Sequence, residues 1–236
     1  MGRVIPAYFN WSGGKDSTLA LYRILQNPSF DIRYLLTTLN QEADRISMHG
    51  VRRELLLRQA ESIGIPTKTI ELPSSSDMQA YESVMNTAIQ ELKSEGIVDC
   101  IFGDIFLEDL RTYRERKLEE VGISAHFPLW KEDTGNLVHE FVNSGFKTIV
   151  VCVDSSKLGK EFVGRVIDAQ FLADLPETVD PCGENGEFHT FVFDGPLFSK
   201  PIEFEPGEQV LKTYESKNKD GEAISYGFWF QDLIPV

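Results

Sequence analysis

Between an apolar run from Val4 to Trp11, with Pro6 near its start, and an apolar helical run from Thr18 to Leu25 stand seven residues, Trp11-Ser-Gly-Gly-Lys-Asp-Ser17. A strand, a glycine loop and a helix N-terminus in that order make a phosphate cradle. The glycines let backbone N–H groups approach an anion, Ser12 and Ser17 add hydroxyl donors, Lys15 adds charge, and the helix dipole favours a negative ligand. It is not the Walker loop, whose two glycine positions are farther apart and whose lysine immediately precedes Ser or Thr. The plainer alternative is an ordinary glycine-rich turn capped by Asp16 or Ser17. Six specified residues in a strand-to-helix context weigh against it.

Downstream, strand and helix signals alternate. Ile32 to Leu39 is nearly continuous apolar and β-branched sequence, as expected of a strand buried on both faces. Helical spacing at Val51, Leu55, Leu56, Ala60 and Ile63 ends at Gly64 and Pro66. Thr67 to Leu72 reads as a third strand, about Asp77 to Gly96 as a one-sided helix, Asp99 to Phe102 as a fourth strand, Leu107 to Val121 as a charged helix and Ile123 to Trp130 as a fifth strand. The pattern predicts an α/β fold with a doubly wound, parallel, five-stranded sheet, which binds ligands at the carboxyl ends of its strands. After Trp130 the rhythm weakens: a helix from about Thr134 to Ser144, a strand from Phe146 to Val153, and a partly helical stretch from Lys157 to Leu175. From Glu187 the chain is β-rich, with strands at Phe188 to Phe193, Ile202 to Phe204, Val210 to Tyr214 and Ile224 to Leu233, and a hairpin signal at Asp220-Gly221. A boundary near Lys131 divides residues 1–130 from a smaller α+β unit, 131–236.

Composition narrows the function. Lys and Arg number 23 against 37 Asp and Glu, a net charge of −14. A field of that sign repels polyanions, and the basic stretch from Arg111 to Lys117 is interleaved with glutamates like an ion-paired helix face, so nucleic acid is an unfavoured partner. No stretch reaches the apolar length of a membrane span and no N-terminal signal segment is evident, so a cytoplasmic address is expected. Cys100, Cys152 and Cys182 include no Cys-x-x-Cys pair and suggest neither a disulfide framework nor a zinc site.

A second dense cluster is Asp180-Pro-Cys-Gly-Glu-Asn-Gly-Glu-Phe-His-Thr190. Glycines and a proline bring two carboxylates (Glu184, Glu187), an amide (Asn185), a thiol (Cys182), an imidazole (His189) and a hydroxyl (Thr190) into one short span. On chemistry alone it reads equally as a catalytic or substrate-recognition loop and as a polar loop whose side chains cap turns.

Ser-Gly-Gly-Lys-Asp-Ser resembles the pyrophosphate loop of the N-type ATP pyrophosphatases. Together with Gly183-Glu-Asn-Gly-Glu-Phe-His-Thr-Phe-Val192 and Phe127-Pro-Leu-Trp130, it is similar to the diphthine–ammonia ligase family over essentially the whole chain. The resemblance implies a nucleotide-binding domain of the adenine nucleotide α-hydrolase (HUP) type followed by a smaller substrate domain. It implies a reaction in which ATP adenylates a carboxylate, pyrophosphate leaves, and ammonia displaces AMP to form an amide. By position, Ser12, Gly13, Gly14, Lys15, Asp16 and Ser17 would hold the pyrophosphate of ATP, with Asp16 also near Mg²⁺. Met48 and His49 match the position that approaches the adenosine. Gly103 and Asp104, at the end of the fourth strand, lie where a doubly wound fold puts its ligand, with Asp104 equally readable as a helix cap. Lys15, Asp16, Glu184, Glu187 and His189 are the expected catalytic groups, and Asn185, Thr190 and Arg111 the substrate contacts.

One departure concerns the substrate: some family members carry Arg-x-Arg where this chain has Arg111-Thr-Tyr113, with Arg114 displaced by one residue, a turn of about 100° on a helix. The partners implied are ammonia and a carboxylate, which is diphthine on elongation factor 2 in a eukaryote or archaeon and a different carboxylate in a bacterium. A homo-oligomeric state is left open. Two other functions compete: sulfur or nitrogen transfer to an RNA nucleobase, disfavoured by the charge and the missing Cys-x-x-Cys, and a sensor that binds ATP or AMP without turnover.

Overall fold

The computed structural model describes all residues except 1–3, 41, 43, 47–49, 73–77 and 218–222. The expected hairpin turn at Asp220-Gly221 lies outside the described residues. Two sheets organise the chain. The first contains β1 (Ile5–Asn10), β2 (Phe30–Asn40), β3 (Arg45–Ile46), β4 (Thr67–Leu72), β5 (Asp99–Ile101) and β6 (Ser124–His126). The parallel strands run in the order β4-β2-β1-β5-β6. The sheet has six strands rather than the expected five, because the two-residue β3 pairs antiparallel with Leu39 and Asn40, beyond the point where β1 stops pairing. Two residues are too few to show a period in sequence.

Both faces of this sheet are covered, and alternation along β1 shows how. Ala7 and Phe9 join the core that includes α1 (Lys15–Leu25) and α2 (Arg53–Ile63), whereas Tyr8, pointing the other way, joins the core of α3 (Met78–Ser94) and α4 (Glu108–Glu120). α2 ends as its sequence indicates, with Gly64 in the left-handed region at φ 83°. The fifth strand is shorter than expected: Pro128 has no N–H to give a ladder, and Trp130 N instead donates to Phe127 O in a turn.

The second sheet is antiparallel, in the order β8-β7-β10-β9, with β7 (Lys147–Asp154), β8 (Phe188–Asp194), β9 (Phe204–Lys217) and β10 (Ala223–Pro235). Two expected strands, around Ile202 and Val210, are here one 14-residue edge strand. The strand passes through Pro206-Gly207 with a register shift opposite Gln231 and Leu233, and a proline is tolerated on a sheet edge. The stretch expected to be partly helical resolves into a 3₁₀ turn at Lys160–Phe162 and α6 (Ala169–Asp174). Between the sheets α5 (Thr134–Asn143) buries Leu137, Val138 and Phe141 in the same continuous core as α1 and β7.

Candidate functional site

The loop between β1 and α1 opens onto a cleft of about 1030 Å³ at the carboxyl ends of the parallel strands, closed on one side by residues 182–190 of the second half of the chain. Gly14 is the N-cap of α1, so Lys15, Asp16 and Ser17 form its first turn, where backbone N–H groups lack intrahelical acceptors. The loop is held from three directions. Ser17 Oγ and Thr18 Oγ1 donate to Gly14 O at 3.0 and 2.8 Å, and Ser12 Oγ meets Ser17 Oγ at 2.9 Å. From β8, Val192 N donates to Gly13 O at 3.0 Å and Thr190 Oγ1 accepts from Lys15 N at 3.0 Å. From α2, the fully buried Gln59 donates to Gly13 O at 3.0 Å and to Val192 O at 2.6 Å while accepting from Trp11 Nε1 at 3.2 Å. Gly13 needs to be glycine: its φ is 76°, and a Cβ there would lie 2.5 Å from Gln59 Oε1.

Lys15 is buried, and its ammonium donates to both carboxylate oxygens of Asp16, at 2.8 and 2.7 Å, and to Cys182 O. Burial pulls its pKa down, but Asp16, Cys182 and Glu184 together outweigh this and hold it above the ordinary lysine value. Its three donors are engaged within the protein, so an arriving phosphate exchanges with one of these acceptors.

The two carboxylates of the late cluster have different surroundings. Glu184 faces the cleft, accepts Ile105 N at 2.8 Å and Phe106 N at 3.3 Å, and is pushed up to about 7, first by burial and then by Asp16, against the two N–H donors. Glu187 is buried and ties the turn together, accepting Asp180 N, Asn185 N and Asn185 Nδ2 at 3.2, 2.9 and 3.1 Å. Glu187 is not among the residues lining the cleft, whereas Asn185, His189 and Thr190 are. Cys182 is buried, its thiol pushed up by burial, with Sγ 3.3 Å from Thr134 O.

Gly103 and Asp104 are at the cleft, and Gly103 has a steric reason to be glycine. A Cβ there would sit 2.9 Å from Ser17 N and Cα, so the end of β5 packs directly on the first turn of α1. Asp104 is ion-paired with Arg114, whose guanidinium lies 4.6 Å from the centroid of the Phe102 ring. Met48 and His49 lie outside the described residues. Arg111 lines a different depression, of about 490 Å³, where it stacks on Phe127 and Trp130 at 4.6 and 4.4 Å and bonds Glu115 at 2.8 Å. The face of α4 turned to the cleft carries Leu110, Tyr113, Arg114, Lys117 and Leu118, a helical stripe at steps of three, one, three and one. The offset of about 100° between positions 113 and 114 therefore does not keep Arg114 out, because both lie on the side that faces the cleft.

Gln59 and Asn10 escaped the sequence reading. Asn10 Nδ2 ties β1 to β5 through Ile101 O at 3.0 Å and lines the cleft. The available signal for Gln59 was an amide set among Leu55, Leu56 and Ala60 on an otherwise apolar helix stripe.

Comparison with known proteins places this arrangement. Residues 6–125 match the family model of the diphthamide synthase N-terminal domain, and residues 133–219 match that of its C-terminal domain. The chain belongs to the diphthamide synthase family. Among curated members similar to it, the diphthine–ammonia ligase of Mus musculus is 33% identical over 229 residues, covering 87% of this chain and 85% of that protein. That of Danio rerio is 26% identical over 223 residues, covering 85% and 86%, and that of Homo sapiens 24% over 226 residues, covering 87% and 85%. Among solved structures, the U34-tRNA thiolase NcsA from Methanococcus maripaludis aligns over 60% of this chain and 57% of its own at 16% identity and a TM-score of 0.38, too weak a likeness to bear on fold or activity. Both family models meet at the cleft, the first supplying the loop and α4 and the second supplying Glu184 and Thr190. Among the described residues no helix is long and apolar enough to cross a membrane, and no group of three or more His, Cys, Asp or Glu forms a metal cage.

Proposed function

We propose that this protein is an ATP-dependent, AMP-forming ligase that joins ammonia to a carboxylate as an amide, with diphthine on elongation factor 2 as acceptor where the host makes it. The carrying observation is that a helix N-terminal phosphate loop and a desolvated carboxylate, Glu184, share one cleft in a member of the diphthamide synthase family. The first half, 1–130, is then a nucleotide domain of the adenine nucleotide α-hydrolase type, and 131–236 brings Glu184, Asn185 and His189 to the cleft from the substrate side. The parallel strand order and the separate second sheet support this division.

Ser12, Ser17, Lys15 and the first-turn N–H groups of α1 suit the phosphates of ATP. Asp16 suits Mg²⁺, which uses one or two carboxylates together with substrate phosphates and, when bound, neutralises phosphate charge. The acceptor carboxylate attacks the α-phosphorus, the bond to the α–β bridging oxygen breaks, and pyrophosphate leaves. Ammonia then attacks the acyl carbon and AMP departs. Glu184, deprotonated above about 7, takes the proton that ammonium must lose to become a nucleophile. Glu187 holds the turn that aims Glu184, and His189 and Asn185 line the acceptor side. A cytoplasmic site of action is part of the same reading.

Chromatography of a reaction containing ATP, Mg²⁺, ammonium and diphthine-bearing elongation factor 2 tests the proposal. AMP, pyrophosphate and amide in equal amounts are expected. An ADP product excludes acyl adenylation, and nucleotide binding without pyrophosphate release returns the protein to a sensing role.

A further inference from the structure

Beyond the phosphate loop the cleft is lined by α3 and α4, with Met85, Ile89, Leu110, Tyr113 and Leu118 as its apolar walls and Asn86 and the ion pair of Lys117 with Glu120 on the same helices. Arg114 stands where this part of the cleft meets the loop. Its partner Asp104 follows Gly103, whose backbone packs against Ser17 in the first turn of α1, so the guanidinium is tethered beside the nucleotide end of the cleft. Phe102 supports its flat face, and Asp104 engages Nη1.

We propose that this part of the cleft is the acceptor subsite and that Arg114 anchors the acceptor's carboxylate, which stands at the end of an extended side chain with an aliphatic stem. The assignment rests on the amidating reading above. Guanidinium has five N–H donors in a fork that matches a carboxylate, and Asp104 occupies one edge of it. The pairing with Asp104 also discriminates between ligands. A guanidinium already compensated by one carboxylate suits a second single carboxylate through directional bonds, and attracts a polyphosphate less than an unpaired guanidinium would. The apolar walls then take the stem, removing its methylenes from water. Seating the carboxylate there puts the attacking oxygen on the loop side of the cleft, while Arg111 plays no part because it lies in the other depression.

Steady-state kinetics of pyrophosphate release, with diphthine-bearing elongation factor 2 and ammonium as substrates, test this on Arg114→Ala, Arg114→Lys and Leu110→Trp. Arg114→Ala is expected to raise the acceptor KM about ten- to a hundredfold, as loss of a charge-assisted bond does, with the KM for ATP within about threefold of wild type. Arg114→Lys keeps the charge and the fold but loses the fork, so it recovers only part of the affinity. Leu110→Trp, which fills this part of the cleft, raises the acceptor KM and leaves ATP alone. Unchanged acceptor KM in Arg114→Lys and Leu110→Trp, or an equal rise for ATP, overturns the subsite while wild-type turnover still upholds the amidating reading. Absence of pyrophosphate release by the wild-type enzyme overturns that reading and the subsite with it.

Discussion

Replacing Gln59 by Leu removes three hydrogen bonds around the glycine loop, one of them across to the second half, but the three do not count equally. Gly13 O keeps Val192 N as a donor, so its loss is small. The Trp11 indole N–H and Val192 O each lose the Gln59 partner in a dry interior, Trp11 being 2% and Gln59 0% exposed. A buried polar group left without a partner costs about 1–3 kcal/mol, and the added apolar surface of leucine returns about 1 kcal/mol. The net loss is about 3 kcal/mol, which for a chain of this length is about 6–12 °C in Tm. Thermal unfolding followed by calorimetry, with denaturant titration to confirm an unchanged slope, measures it. Because the same side chain fixes Gly13, ATP affinity should fall as well. A Tm within about 2 °C of wild type, with ATP binding intact, would refute the claim that Gln59 braces the loop.

Two further outcomes concern charge. Glu184 is held at about 7 and in the proposed mechanism serves as base only when deprotonated, so kcat/KM should climb from pH 6 to pH 8 with its midpoint near 7. Glu184→Gln should remove that limb and slow amide formation about a hundredfold, and a pH profile unchanged by the substitution would remove Glu184 from the chemistry. Asp232 lies between Arg52 and Arg45, at 2.6 and 2.9 Å, and hydrogen bonding to Arg52 holds it at about 2 despite partial burial. A carboxylate with a depressed folded value stabilises above the unfolded value of about 3.9 and loses that contribution as pH falls toward 2. Asp232→Asn should therefore be less stable than wild type at pH 7, and the gap should close below pH 3; a gap independent of pH would contradict it.

The local parts of this site were legible in sequence, and the long-range parts were not. Ser12 to Ser17 could be read because a glycine loop between a strand and a helix is specified by neighbours a few residues apart. The alternation of β1, α1 and β2 follows from periodicity for the same reason. Arg111 and Arg114 show the limit. Helical geometry gives their angular separation but not which face meets the cleft, and that depends on how α4 packs against Phe102 and Phe127. Glu184 and Glu187 stand three residues apart with the same chemistry. Only the folded turn reveals that one looks into the cleft and the other is consumed by backbone donors. The strands expected around Ile202 and Val210 differ in the opposite direction, being continuous through Pro206 on a sheet edge, which tolerates what an interior strand does not.

The bond from Lys15 N to Thr190 Oγ1 spans 175 residues. A ribosome delivers the glycine loop 175 residues before its clamp, so through that stretch of synthesis the emerging sheet carries the loop with neither β8 nor Thr190 to shape it. A chain halted after β6 has the glycines, the lysine and the helix N-terminus of the loop, yet it lacks the bonds that fix Gly13 and Lys15, which form only when β8 folds back onto that loop.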